Sequence, residues 1–160
     1  MKPIVVLGLS AAAVAAVLLA SSAQGAANSK KLRAFQAVLI AGQEPDKPDS
    51  NAFGLGFFTL HESTRTVDYA ITVNGLSGAP TAMHLHGPAV PGQDADPIVT
   101  LTSPGGATAQ VTGTTSALTP QQMSALKKGL FYVNVHTAAN TGGEIRGQLL
   151  PAAQTSYKEP

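Results

Sequence analysis

Residues 131–150 read FYVNVHTAANTGGEIRGQLL, and this stretch decides the fold. Along a β-strand, side chains point alternately to opposite faces. Phe131, Val133 and Val135 therefore share one face, and Tyr132, Asn134 and His136 share the other. After the turn residues 137–143, the alternation resumes over 144–150. Pairing Val135 with Ile145, and Phe131 with Leu149, collects four apolar side chains on one buried face. The same register sets His136 beside Glu144, Asn134 beside Arg146 and Tyr132 beside Gln148. A one-residue slip would drive Arg146 into the apolar layer, so the pairing is specified. The opposite, outward face then carries His136, Glu144, Asn134 and Arg146 together.

The rest of the chain follows the same rhythm. Leu32 to Ile40 reads as a first strand, and Gly42 to Ser50 as a polar loop. Pro45 and Pro48 in that loop cannot join a central ladder. Phe53 to His61 and Thr66 to Asn74 form a hairpin around Glu62-Ser63-Thr64-Arg65. Its inner face holds Phe58, Leu60, Val67, Tyr69, Ile71 and Val73, and its outer face Thr59, His61, Thr66 and Asp68. Further strands fall at 82–86, 98–102 and 110–112, separated by Pro- and Gly-rich loops. Short strands at this spacing predict an all-β fold. The expectation is a Greek-key β-sandwich or barrel of about seven or eight antiparallel strands.

One helix, about residues 119–128, is expected. Thr119 suits the N-cap, Pro120 the first helical position, and Gln122 completes a capping box. Lys127 and Lys128 complement the helix C-terminus, and Gly129 fits just beyond it. Met123 and Leu126 would dock this helix on the sheet. Met83 lies on an inward position, so both methionines read as core rather than as soft metal ligands.

Residues 1–27 read as a signal peptide. Lys2 precedes an uncharged apolar run from Ile4 to Ala20, and small residues offer cleavage near 23 or 27. Retention of that run as an anchor is the alternative. The expected domain is 28–153, with no membrane span after cleavage, and 154–160 form a polar, flexible tail. Without Lys2, nine basic side chains face nine acidic ones, which gives no reason to expect nucleic acid or an anionic membrane as partner. The chain has no Cys, so no disulfide supports an exported fold and no thiolate can bind metal.

Three of the four histidines carry the sharpest functional clue. His84 and His86 share one face of the 82–86 strand, and His136 shares the outward face of the late hairpin. If the two strands are neighbours, three imidazoles converge. Imidazole suits copper and zinc, with Cu(II) favoured in raw affinity. Three nitrogen donors leave a coordination position open. Neutral imidazole is required, so uptake should weaken as pH falls through about 6. His61 is a candidate fourth donor. Glu144, Asn134 and Arg146 are candidate neighbours that orient the ligands or steer an anion; the plainer reading is a surface ion pair. Asp94 and Asp96 could bind Ca²⁺, although Asp before Pro is ordinary turn chemistry. No nucleophile elbow, catalytic Cys or phosphate loop is present, so no catalytic residue is assigned.

Several segments together resemble the chordin-type (CHRD) domain of exported bacterial proteins and of the animal protein chordin. They are Ala41-Gly42-Gln43-Glu44-Pro45, Ala82-Met83-His84-Leu85-His86-Gly87-Pro88-Ala89, Phe131-Tyr132-Val133-Asn134-Val135-His136-Thr137 and Gly142-Gly143-Glu144-Ile145-Arg146-Gly147-Gln148-Leu149. The resemblance spans about Leu32 to Pro151. It implies an extracellular β-sandwich module and does not itself establish a metal. A weaker likeness is to copper–zinc superoxide dismutases, β-sandwich proteins that hold copper through an H-x-H pair and a late-strand His, with a late Arg nearby. His84, His86, His136 and Arg146 would play those parts. No His lies between His86 and His136, so the bridging ligand and zinc cluster of that family are missing.

The function expected is that of a periplasmic or secreted protein binding one copper ion, with zinc as the alternative ion. A metal-free structural or interaction module, partnered by other envelope or extracellular proteins, is the rival reading. A copper redox enzyme of dismutase type stands third.

Overall fold

A computed structural model describes residues 32–103 and 105–152. The expected signal peptide and the tail at 154–160 lie outside the described residues. Nine strands form: β1 Leu32–Ile40, β2 Phe53–His61, β3 Thr66–Asn74, β4 Pro80–His86, β5 Pro97–Thr100, β6 Ala109–Thr114, β7 Tyr132–Thr137, β8 Ile145–Gln148 and β9 Leu150–Pro151. Helix α1 spans Pro120–Lys127. Eight strands make one curled antiparallel sheet in the order β5-β4-β7-β8-β1-β2-β3-β6, and β9 pairs with β1. The neighbours β4·β7, β8·β1 and β3·β6 are not consecutive in the chain, as the Greek-key expectation requires.

The registers follow the apolar alternation. In the β2–β3 hairpin, Phe58 lies opposite Tyr69 and Leu60 opposite Val67, and all four are buried. In the late hairpin, Val135 pairs with Ile145, Asn134 with Arg146 and Tyr132 with Gln148. The amide of Leu149 donates to the Phe131 carbonyl at 2.8 Å, which continues that register. Met83, Leu85, Val133, Val135, Ile145 and Leu149 line the core side of this half, and Leu126 docks α1 against it. Thr119 and Gln122 make the reciprocal capping box, with bonds of 3.1 and 2.8 Å.

Outside β1 and β2 the alternation breaks its usual rule. Val38, Ile40, Phe53, Leu55 and Phe57 face outward and are exposed, with Val38 opposite Leu55 and Ile40 opposite Phe53. Leu150 of β9 extends this apolar strip beside Gln36.

The non-core face of β4, β7 and β8 departs from expectation in another way. It is a covered polar layer, not an outer surface. Tyr132, Asn134, Arg146, Gln148 and His86 are all buried. The 87–96 loop folds over it, fastened by Arg146 Nη2 to the Gln93 carbonyl (2.7 Å) and Gln148 Nε2 to the Ala89 carbonyl (2.9 Å). The short 3-10 turn Ala41–Gln43 covers the other side, where Gln43 Oε1 accepts from the Gln148 amide. Keeping Arg146 out of the apolar core therefore buries it in a polar layer, with only 1% of its surface exposed.

Candidate metal centre

Strands β4 and β7 are direct neighbours, with His84 opposite Asn134 and His86 opposite Tyr132. Parity then projects His84, His86 and His136 to the same side. The His84 and His86 rings meet edge to face with centroids 5.5 Å apart, and His84 and His136 approach to 5.1 Å. One ring nitrogen from each of the three lies within 4.8 Å of the others. A tetrahedral ion with bonds of about 2.0–2.1 Å sets its nitrogens roughly 3.3 Å apart. His84 Nδ1 and His136 Nε2 already stand 3.2 Å apart. Both are half-buried side chains.

Backbone carbonyls fix two of the tautomers. A carbonyl only accepts, so the ring nitrogen facing it carries the hydrogen. His86 Nδ1 donates to the Ala95 carbonyl at 2.8 Å, and His136 Nδ1 donates to the Thr141 carbonyl at 2.9 Å. Each ring then offers an Nε2 lone pair. The His86 Nε2 atom is buried without a hydrogen-bond partner. A ligating imidazole held by a carbonyl on its far nitrogen is the usual outer arrangement of a metal site. Burial, then the other imidazoles, lowers the pKa of His84. Burial is also the main cause lowering His86, against the hydrogen bond to Ala95 and the neighbouring Asn134 side chain, which would accept from a charged imidazole. Both shifts favour the neutral form that binds metal. The donor set fits one borderline metal ion with a position left open.

A layered stack backs His86. Its ring lies on Tyr132 with centroids 4.8 Å apart and planes within 8°. The Arg146 guanidinium carbon stands 3.4 Å from the Tyr132 ring centroid. The Tyr132 hydroxyl donates to the Ala95 carbonyl and accepts from the Ala95 amide, both at 3.2 Å. The carbonyl that fixes His86 is thus itself held by Tyr132.

The expected neighbours divide. Asn134 lies between the cluster and Arg146, as the register requires. Arg146 makes its ion pair with Asp94 (3.2 Å), not with Glu144. That pairing gives Asp94 a structural role and directs the guanidinium to the covering loop. Glu144 does not stand beside His136. Strand β8 begins only at Ile145, and Gly143 at φ +138° breaks the pleat before it. The Glu144 carboxylate turns instead to the Ser50 hydroxyl (2.8 Å), the Ser77 amide (2.8 Å) and hydroxyl (2.5 Å), and the Thr137 hydroxyl (2.7 Å). Burial opposes its ionisation, but these bonds prevail and hold its pKa down to about 2. His61 is not brought to the cluster. It bonds Asp68 at 2.6 Å and pairs with Leu32, at the end of β1 remote from the Ile40–Arg146 pair. Eight residues of strand put these ends roughly 26 Å apart.

Sequence reasoning missed Glu44. It follows the 3-10 turn, is 4% exposed, and lines a cavity of about 220 Å³ together with Asp46, His86, Asp94, Tyr132, Asn134 and His136. Burial, opposed by Arg146 and aided by Asp94 and Asp46, raises its pKa to about 7. The only sequence signal was its place in the Ala41–Pro45 motif, and a loop has no parity to say where a side chain points.

Comparison with known families gives one finding. Residues 35–149 match the CHRD domain, so the chain belongs to the CHRD-domain family. Comparison with curated proteins and with solved structures yields no match.

Proposed function

We propose that this CHRD-domain protein is exported and binds a single copper ion through His84, His86 and His136, with zinc the alternative ion. The observation that carries the reading is the histidine trio, with one ring nitrogen of each within 4.8 Å of the others, together with a buried His86 Nε2 that has no partner. Leaving a buried acceptor unmatched costs about 1–3 kcal/mol, which a bound cation would relieve. Copper is favoured over zinc by the affinity order for nitrogen ligands. The charged residue and apolar run at the N-terminus support export to the periplasm or beyond. Titration of the purified protein with Cu(II), followed by its d–d band and EPR spectrum, tests the site. One equivalent should bind with nitrogen hyperfine structure, and a His84→Ala/His136→Ala double variant should lose it. Unchanged spectra, or equal binding by the variant, would sink the reading.

A second reading is a metal-free interaction module of the envelope or extracellular space. It draws on the exposed apolar strip of Val38, Ile40, Phe53, Leu55 and Phe57. Submicromolar copper binding by the unaltered protein would dispose of it. Dismutase-type redox catalysis has less behind it. The bridging His is missing, and Arg146 is committed to Asp94, Gln93 and Tyr132. Superoxide consumption no faster than that of aqueous copper would close that route.

A further inference from the structure

Among the described residues, four buried side-chain polar atoms have no hydrogen-bond partner: Glu44 Oε1, His86 Nε2, Asn134 Oδ1 and Gln148 Oε1. The first three belong to residues that line a cavity beside the histidine cluster. Glu44, Asn134 and His86 are each more than nine-tenths buried, at 4%, 3% and 7% exposure. With Glu44 ionised, as it is at pH 8, all three atoms are acceptors, since His86 Nδ1 carries the ring hydrogen. Asp46 and Asp94 add further carboxylates to the wall, and no Lys or Arg lines it. Such a lining is richer in acceptors than in donors, with the Asn134 amide and the Tyr132 hydroxyl as its side-chain donors besides the histidines, and its carboxylates disfavour an anion. It matches a molecule that brings hydrogens of its own.

We propose that the cavity receives a small neutral nitrogen base bearing an N–H group, as a ligand of the ion bound by the histidines. Its lone pair takes the open coordination position, and its N–H donates to Glu44 Oε1, with Asn134 Oδ1 as second acceptor. His86 Nε2 is then occupied by the ion, so every orphaned atom of the cavity gains a partner. The inference rests on the metal reading above and adds the class of ligand that the site selects. A cavity of about 220 Å³ has room for a five-membered ring.

The test uses the copper-loaded protein at pH 8 with two probes, imidazole and azide. The first has both a lone pair and an N–H, and the second is an anion without hydrogens. Binding is read from EPR parameters for imidazole and from the charge-transfer band for azide. Glu44→Ala should weaken imidazole about tenfold or more, as loss of a hydrogen bond to a charged group does. Azide should bind the variant equally or more tightly. Glu44→Gln, which keeps an acceptor oxygen of the same shape, should fall between them for imidazole. Both variants should still take up one equivalent of copper. Imidazole binding insensitive to Glu44, with copper uptake intact, overturns the inference and leaves the metal site standing. A second equivalent of copper that disappears with Glu44 also overturns it, in favour of a second cation. Failure of the unaltered protein to bind copper overturns the metal reading and the inference together.

Discussion

The His86 ring lies flat on Tyr132, and the Tyr132 hydroxyl and His86 Nδ1 meet at one carbonyl, that of Ala95. The stack sets the plane of His86 and the shared carbonyl sets its tautomer. Tyr132→Phe keeps the ring and frees Ala95; Tyr132→Leu removes both. Copper affinity should fall about 10–100-fold in the leucine variant, the range seen when outer partners of metal ligands are lost. The phenylalanine variant should lose less. Competition titration against a chelator of known affinity gives the ranking, and equal affinities in all three proteins would show that the stack does not position His86.

Glu144 ties three chain segments together through Ser50, Ser77 and Thr137. Replacing it by Ala leaves several buried donors unmatched, at about 3 kcal/mol of unfolding free energy. Denaturant unfolding of Glu144→Ala measures that loss. Acid unfolding gives a second reading. The folded pKa of about 2 lies below the ordinary 4.5, so the unfolded chain binds the proton first. The contribution of Glu144 is thus present above about pH 4.5 and drains away as pH falls toward 2. Glu144→Gln should flatten that limb.

Strand parity made the fold and the cluster legible. Val133 and Val135 against Ile145 and Leu149 set the late hairpin, and that register carried His136 to the side shared by His84 and His86. Parity says which face a side chain takes, not what covers the face. Nothing in the pattern tells that the 87–96 loop roofs Arg146 and Tyr132, because loop paths are set by bonds such as Arg146 to Gln93. Parity also fails where a strand has not begun. Alternation puts Glu144 on the His136 side, but it stands one residue before the pleat starts, and Gly143 turns it away. The apolar strip of Phe53, Leu55 and Phe57 was hidden for the opposite reason. When both faces of a strand are apolar, alternation no longer distinguishes inside from outside.

Glu44 titrates the other way from Glu144. Its folded pKa of about 7 lies above the ordinary 4.5, so between those values the folded protein holds a proton that the unfolded chain has lost. Stability from this group is full below about pH 4.5 and declines as pH rises through 7. Glu44→Gln should be more stable than the unaltered protein at pH 8, by about 2–3 kcal/mol. The two should converge near pH 4.5. Unfolding curves at a series of pH values settle the sign, and a stability gap that widens on acidification would contradict it.

The imidazoles make copper uptake itself depend on pH. Burial disfavours the charged forms of His84 and His86, so their folded pKa values lie below the ordinary 6.5. Protons therefore compete less than at exposed histidines, and half-saturation at fixed copper should persist below pH 6.5 before uptake is lost. The metal-free protein pays the complementary cost, becoming less stable as pH falls from 6.5 through those lowered values. Following the d–d band from pH 8 to pH 4 checks the first point, and loss of copper already above pH 7 would refute it.

Gly143 packs against Glu44 and Asn134 at the cavity wall. Its φ of +138° is open to glycine and strained for any other residue. A β-carbon there would also run into the Glu44 carboxyl and approach the Asn134 amide nitrogen to 3.0 Å. Gly143→Ala should cost about 1–3 kcal/mol from backbone strain, and it should displace Glu44 from the cavity wall. Two readouts separate these effects. Denaturant unfolding reports the strain. Copper uptake and imidazole binding by the loaded variant report the displacement. If Glu44 acts only through its position on that wall, Gly143→Ala should keep copper and weaken imidazole much as Glu44→Ala does. Imidazole binding equal to that of the unaltered protein would show that Glu44 tolerates the shift, and that the tight contact with Gly143 serves the turn alone.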